Sequence, residues 1–541
     1  MRRVVLHPVV AALLLWSGAC ARPTALDQPS RPTRPRLIVQ IVVDQMRSDY
    51  IPRYGAQWTA GLHRLLAEGA HFVNAAYPYA GTVTCAGHAS IGTGTVPSIH
   101  GMVRNEWWDR DDERRIPCPD DRRVTPIGFT KASDAGYSGR RMMADTFAMR
   151  LDASQPADAG RVVTLSLKAR SAIGLAGKSG DAVVWFDSAG TFATSSAFGN
   201  PAWLDAYLEA HPVEAQRNAE WTRMRDAPAY LGSDHDGGAR PPSGWTSLFP
   251  HTLSDTGRAD PVFYDRWQRS RFSDAYLADL AVAAIDALTL GQGPGIDYLG
   301  VSFSALDLVG HKFGPDSHEV QDILLGVDAA IGRLLAHLDT AVGSGNYVVA
   351  LTSDHGVSEI PEDTGGARIA RGAATKIIED VLDTAWGADT YVAVEITSDV
   401  YLTSAARARL QSDAHTQAAL RTALEALPGV DRVLLTPGDV ERAADSSDPI
   451  MHMVRMSYYP DRAGDVWLLL HPNAVAWSDA ASHGTPHAYD RRVPVILFGS
   501  PFKAGTFEGP ASPLDIAPTW SRLTGVALDR PYGRSLDAAV K

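Results

Sequence analysis

Cysteine is scarce: the 541 residues contain three, Cys20, Cys85 and Cys118. That count excludes a disulfide-scaffolded fold and a Cys-rich zinc site, so any metal must be held by histidine and carboxylate. An excess of positive charge is also missing. Lys and Arg number 50 against 62 Asp and Glu, giving a net charge of −12. A body this acidic repels phosphate-rich polymers, which argues against nucleic acid as a partner. A small anionic substrate is not excluded, because a local group of cations outweighs distant charge. Beyond the first 21 residues no run reaches the roughly 18 apolar residues of a membrane span. No internal repeat is present. What the chain has in quantity is apolar side chains, 45%, against 21% charged, the composition of a globular protein with a large core. At about 150 residues per domain, length alone would give three or four units.

The first residues read as an export signal over 1–21. Arg2 and Arg3 precede a mostly apolar stretch from Val4 to Trp16, and small residues follow from Ser17 to Ala21. Ala19-x-Ala21 fits release of a soluble protein, whereas Gly18-Ala19-Cys20 fits a lipoprotein site that would anchor the chain through Cys20. Either way the expected location is periplasmic or extracellular. Residues 22–35 are Pro-rich and aperiodic, and read as a tether.

Short β-rich runs at Leu37–Val43, Ala182–Phe186, Tyr298–Phe303, Tyr347–Thr352, Val466–Leu470 and Val493–Phe498 lack polar alternation. Such runs suit strands of a mostly parallel sheet buried on both faces. Between them, Val320, Ile323, Leu324, Val327, Ile331, Leu334, Leu335 and Leu338 recur every three or four residues, which predicts a helix. Alternating strands and helices give an α/β fold class, and ligands in such folds gather beyond the carboxyl ends of the strands.

Those ends carry metal-type residues. Asp44 closes IVQIVVD, Asp307 and His311 follow LGVSFSA, and Asp354-His355 closes YVVALTS. His483 and His487 precede the last of the runs. Taken singly, an Asp there is most often a helix cap and a His a hydrogen-bonded structural residue. Three Asp and at least three His converging on one edge exceed what one zinc needs. They suit two metals about 4 Å apart, an arrangement that clamps the attacking and leaving oxygens of a phosphoryl transfer. A nucleophile is expected in Gly81–His88, where small residues would bring a hydroxyl close to metal and phosphate at a helix start, with backbone amides facing the anion. Thr82 and Thr84 both qualify.

Taken in order, IVVDQM, TCAGHASIGTGTVPSIHG, VRNEWWD, SLKARSAIGLAGK, LDLVGH, SDHG and SHGTP resemble the motifs of the alkaline phosphatase superfamily. The nearest resemblance is to its phosphate-irrepressible branch, related to type I phosphodiesterases and nucleotide pyrophosphatases, and it runs from Leu37 to the C-terminal LDIAPTWSRLTG. It implies a three-layer sandwich with a mostly parallel central sheet, helices on both faces and a cap region. Residues 36–541 then form one catalytic domain with insertions at about 106–165 and 190–265. The resemblance makes Thr84 the nucleophile of an exported phosphomonoesterase working through a phosphothreonine intermediate. Two zinc ions per chain would be held by Asp44, Thr84, Asp354 and His355, and by Asp307, His311 and His483. His487 matches no role and is expected to line the cleft.

Asn105, Lys168 and Arg170 match the substrate-binding positions. Alternation in Lys-Ala-Arg would put both cations on one side of an extended segment. There they would neutralise non-bridging oxygens where a diester's second substituent needs room. The related branches commonly carry Pro two residues after the Thr; Ala86 stands there here, with Cys85 between. Cys85 and Cys118 are candidates to pair after export. The Cys-x-Pro-x-Arg sequence of sulfatases is absent. Competing readings are a phosphodiesterase or nucleotide pyrophosphatase on the same scaffold, a non-catalytic exported metal-binding scaffold, and a phosphoglycerate mutase-like phosphotransferase, against which the export signal argues.

Overall fold

The computed structural model describes Met1 and residues 34–232, 237–443, 446–477 and 479–541. The export signal after Met1, Cys20 and the Pro-rich tether up to residue 33 lie outside the described residues. Among the described residues, no helix is long and apolar enough to cross a membrane.

Strand Leu37–Val43 is fully buried along its length, as a β-branched run with no polar alternation requires. It pairs in parallel with Asp297–Phe303 on one side and Tyr347–Thr352 on the other. Val162–Ser166 and then Ala182–Phe186 continue the parallel block. Antiparallel strands close both flanks, Val495–Gly499 beyond Tyr347–Thr352 and Phe192–Ser195 beyond Ala182–Phe186, within a sheet of ten strands. The pairing holds the carboxyl ends of the parallel strands level: Val43 lies opposite Phe303, Val42 opposite Thr352, and Ser302 opposite Ser166.

Alternate residues of Leu37–Val43 face two different layers. Leu37, Val39, Ile41 and Val43 pack into the core built by helices Gly61–Glu68, Arg271–Leu288 and His318–Leu338. Ile38 joins Phe147, Leu151, Ile516 and Trp520 on the other face, and Val42 meets Ile91 and Leu175 there. The result is the three-layer α/β sandwich. The helix expected around Val320 runs from His318 to Leu338, with the Ser317 hydroxyl accepting from the Val320 amide as its cap. From inside that helix, Asp328 accepts the amides of Thr59, Ala60 and Leu62 and so fixes the start of Gly61–Glu68.

Two features depart from the sequence expectation. Val466–Leu470 is a strand, but of a separate antiparallel sheet of four with Val392–Ile396, Asp399–Leu402 and Val430–Leu435. Its apolar run reflects burial between helices Ala373–Trp386 and Ala414–Glu425 on one face and Pro449–Ser457 on the other. The 373–470 segment is therefore a second, smaller α/β layer inserted between Asp354 and His483. The stretch 106–165 supplies a hairpin, Glu106–Asp109 with Arg114–Pro117, and also two strands of the central sheet itself, Pro126–Gly128 and most of Val162–Ser166.

The small layer reaches back to the main one. Arg104 ion-pairs Asp399 at 2.7 Å and lies over the Trp467 ring at 4.4 Å. The Ser457 hydroxyl accepts the amides of Ala80 and Gly81, each at 2.9 Å, fixing the chain just before Thr82.

Beneath that chain, His100 is fully buried, accepting from the Met102 amide and bonding the Ser90 hydroxyl. Burial, aided by Arg462, lowers its pKa from 6.5 to about 3. The folded protein keeps this ring neutral while the unfolded chain protonates it below pH 6.5, so stability must fall as pH drops from 6.5 towards 3. Thermal melts should show Tm declining across that window, and a shallower decline in His100→Gln whatever its Tm at pH 7. Parallel slopes in the two proteins would remove His100 as the cause.

Candidate metal centre and nucleophile

The level strand ends bring the donors together. Asp44 follows Leu37–Val43, Asp354 and His355 follow Tyr347–Thr352, and Asp307 and His311 stand one turn apart on helix Ala305–Phe313 after Asp297–Phe303. His483 arrives from the loop after the small layer. Two donor groups result: Asp44, Asp354 and His355, and Asp307, His311 and His483, with the donor atoms of each within 4.8 Å of one another. The His355 and His483 rings stack at 3.5 Å, so the groups adjoin.

Each imidazole is set for coordination. Nδ1 of His311 bonds the Ala481 carbonyl at 2.9 Å, Nδ1 of His355 that of Gly356 at 3.0 Å, and Nδ1 of His483 that of Thr82 at 2.8 Å. A carbonyl accepts only, so Nδ1 carries a proton in all three and Nε2 is the nitrogen turned towards the carboxylates. The carboxylates fit as well. Buried Asp44 Oδ1 accepts no hydrogen bond. Asp354 Oδ2 lies 3.2 Å from His88 Nδ1, but that nitrogen is committed to the Thr84 carbonyl at 2.9 Å, so this oxygen too lacks a well-formed bond.

Charge points the same way. Three interior carboxylates face one buried ammonium, Lys168, whose Nζ lies 2.6 Å from Asp44 Oδ2 and 2.5 Å from Asp307 Oδ2. Burial opposes ionisation of Asp307, yet the Lys168 ammonium, with His311 beside it, holds it well below the usual carboxylate range. Burial and the neighbouring Asp354 push Asp44 the other way, well above it. Burial also lowers His483, with His355 and His311 adding to it, and burial lowers His355, so both rings are neutral donors. Interior charge that one ammonium does not balance is costly, and the two donor groups have the residue types and spacing that could hold a cation.

Thr84 begins helix Thr84–Thr93, and its hydroxyl lies 3.4 Å from His355 Nε2. Thr82 is differently employed, donating to the Thr485 carbonyl while its own carbonyl holds His483. Of the two threonines, Thr84 is the one whose hydroxyl faces the donors. Ala86 is fully buried in the first turn. The Cys85 amide does not face the cleft as a free anion donor; it bonds Asn105 Oδ1 at 2.9 Å.

Asn105, Lys168 and Arg170 line one cavity of about 310 Å³ with Tyr137, Trp185 and Asp187. The two cations arrive differently from the expected extended segment. Lys168 is extended and caps a helix, and Arg170 sits in the first turn of that helix, Ala169–Ala176. Among the described residues the Arg170 guanidinium makes no ion pair, and its buried Nε has no partner. His487 stands apart, its Nε2 on the Leu470 carbonyl.

Three supporting residues escaped the sequence reading. Gln45, at φ 69°, gives its amide to Asp354 Oδ1 and its side chain to Asp307 Oδ1, tying the two donor groups together. His88, one turn after Thr84, bridges the Thr84 carbonyl and Ser302. Asp274 accepts the amides of Ser304 and Ala305, steadying the helix that carries Asp307; burial raises its pKa to about 7. Adjacency to Asp44 and the i, i+4 spacing from Thr84 were the available signals for the first two.

The family model for type I phosphodiesterase / nucleotide pyrophosphatase matches residues 38–490. Alkaline phosphatase PafA of Elizabethkingia meningoseptica is 31% identical over 513 residues, covering 91% of each chain. The crystal structure of wild-type PafA is similar at a TM-score of 0.86 and 28% identity, covering 94% of this chain and 99% of that one. A solved variant of PafA substitutes a threonine, an asparagine, a lysine and an arginine. Their order, and within one residue their spacing, matches Thr84, Asn105, Lys168 and Arg170 here.

Helix Thr84–Thr93 reaches the donors only because Gly87 has no side chain. A Cβ there would lie 2.3 Å from the Asp354 carbonyl oxygen and 2.6 Å from the Asp354 Cβ. Gly87→Ala must push the helix off the strand end. It should cost about 1–3 kcal/mol in denaturant unfolding and lower the bound-metal stoichiometry measured after dialysis. Wild-type values for both would show that the contact yields freely.

Proposed function

The chain belongs to the type I phosphodiesterase / nucleotide pyrophosphatase family of the alkaline phosphatase superfamily and is an alkaline phosphatase; we propose that it hydrolyses phosphate monoesters through a phosphothreonine intermediate at a two-zinc centre. The observation that carries this reading is the place of the Thr84 hydroxyl, 3.4 Å from His355 Nε2 beside the two donor groups. Asn105, Lys168 and Arg170 share one cavity, and the Lys168 ammonium links it to Asp44 and Asp307. Zinc held by Asp44, Thr84, Asp354 and His355, and by Asp307, His311 and His483, would supply Lewis acidity that makes the hydroxyl a nucleophile and offsets charge on the departing oxygen.

The chain's own groups do the rest. Thr84 Oγ1 attacks phosphorus in line; its bond to phosphorus forms as the ester P–O bond breaks and the alcohol leaves with the electron pair. Water then attacks the phosphothreonine, returning the Thr84 hydroxyl and releasing inorganic phosphate. Asn105 Nδ2 and the Arg170 guanidinium donate to non-bridging oxygens. Lys168 now bonds Asp44 and Asp307, and its flexible stem lets the ammonium turn to the phosphoryl group. A monoester dianion uses both cations, whereas a diester carries one charge less and must fit its second substituent against them. That contrast favours the monoesterase over a phosphodiesterase on the same scaffold. The free guanidinium of Arg170 argues against a non-catalytic scaffold, since among the described residues nothing pairs with it.

Substrates are small phosphate esters rather than nucleic acid, in keeping with the acidic body. The protein acts outside the cytoplasm, soluble or anchored at Cys20. The Cys85–Cys118 disulfide supports that location, because such bonds persist in oxidising compartments.

Metal analysis of the active protein should give two zinc ions per chain, and chelation should remove activity that zinc restores. Acid quenching during turnover of a labelled aryl phosphate should leave label on the Thr84 peptide, and Thr84→Ala should lose at least about 10³-fold in kcat. Lys168→Ala/Arg170→Ala should lower kcat/KM for the aryl phosphate by about 10²–10³-fold and affect the bis-aryl diester much less. A wild-type preference for the diester would overturn the monoesterase reading, and unchanged turnover by Thr84→Ala would remove the nucleophile.

A further inference from the structure

We infer that the Cys85–Cys118 disulfide is a positioning device for substrate binding, fixing the side-chain amide of Asn105 opposite Thr84. The inference rests on the substrate contact proposed above for Asn105 and assigns how that contact is held.

The cross-link joins two places that matter to Asn105. Cys85 directly follows Thr84 in the first turn of helix Thr84–Thr93. Cys118 directly follows the hairpin whose first residue, Glu106, follows Asn105, and Glu106 pairs with Pro117. The disulfide thus closes a loop of sequence separation 33 with Asn105 inside it. Both cysteines are buried.

Each cysteine also grips Asn105 through its backbone. The Cys85 amide donates to Asn105 Oδ1 at 2.9 Å, and the Cys118 amide donates to the Asn105 carbonyl at 2.8 Å. Because a backbone N–H only donates, the side-chain oxygen must face the helix. Nδ2 is then left as the donor, on a residue that lines the cavity with Lys168 and Arg170. Among the described residues no acceptor of the chain takes a bond from Nδ2. One residue is therefore held at its side chain and its main chain by the two ends of a single covalent link. Without the link, two separate hydrogen bonds would have to keep the hairpin and the helix in register.

Contacts other than the disulfide also hold the hairpin. Trp107 and Ile116 pack with Ala89, Met102 and Met142, and Arg115 pairs with Glu106 across the strands. Loss of the link should therefore loosen Asn105 before it dislodges the hairpin.

The test is a double-mutant cycle on the zinc-loaded protein, with inorganic phosphate as the probe and its dissociation constant measured by calorimetry. Kinetics on an aryl phosphate give KM and kcat in parallel. Cys85→Ala/Cys118→Ala should weaken phosphate binding about tenfold, Asn105→Ala at least as much, and the triple variant no more than Asn105→Ala alone. A purely structural cross-link would lower Tm yet leave the dissociation constant unmoved, or would act equally in both backgrounds; either result overturns the inference. If Asn105→Ala itself leaves phosphate binding unchanged, the contact assigned to Asn105 fails and the positioning role falls with it. Removing a disulfide costs stability, so Tm is recorded throughout. Reduced wild-type protein, with its thiols counted, gives the same comparison if the cysteine variant does not accumulate.

Discussion

Three carboxylates, Asp44, Asp307 and Asp354, are buried at adjoining strand ends with a single lysine between them. Concentrating that much like charge in a low-dielectric interior is unfavourable unless cations take it up, and the surrounding structure is organised to hold the groups in place regardless. Parallel pairing sets the strand ends level. Gln45 ties Asp354 to Asp307 through its own amide and side chain. Each of three imidazoles is locked by a backbone carbonyl, so rotation cannot turn its Nε2 away. The missing side chain at Gly87 lets the helix that begins at Thr84 approach the end of the Asp354 strand. Preorganisation of this kind spends folding free energy on a constellation that no apolar core would choose.

The small layer is best understood as a buttress to that constellation. Its apolar faces build a core of their own, and its contacts with the main layer include two on either side of Thr84 in the chain: Arg104 held between Asp399 and Trp467, and Ser457 on the amides of Ala80 and Gly81 just before the threonine. A mobile loop there would blur the distance between hydroxyl and donors, and a displacement near 1 Å is costly to catalysis.

Much of this was legible in the linear chain. Asp44, Asp307 and Asp354-His355 could be placed because an apolar run ending in a polar residue marks both a strand and its end, and the fold class followed from alternation of runs and periodic helices. His483, remote in sequence, depended on the joint order of motifs. What could not be read was three-dimensional in origin. The run Val466–Leu470 reports burial but not which sheet provides it, so its place in a second sheet was invisible. Lys168 and Arg170 do line the same cavity, although by a helix start rather than by strand alternation. Gln45 and His88 carried only a weak local signal, adjacency to Asp44 and spacing from Thr84, and Asp274 acts on the helix of Asp307 through a contact that no local pattern encodes. Thr82 and Thr84 were equivalent as residue types; in space the Thr82 hydroxyl is occupied by the Thr485 carbonyl, while that of Thr84 lies beside His355.

The first donor group includes Asp44 and the second is completed only by His483, with the whole small layer strung between Asp354 and that histidine. No fragment ending before His483 holds both groups. A chain emerging from a ribosome, or threaded unfolded through a translocation channel, therefore has no complete binding place until nearly its full length is available. Under the proposed two-metal reading, occupation of both groups follows nearly complete folding, so the metal is drawn from the surroundings of the finished fold and not from those of the growing chain.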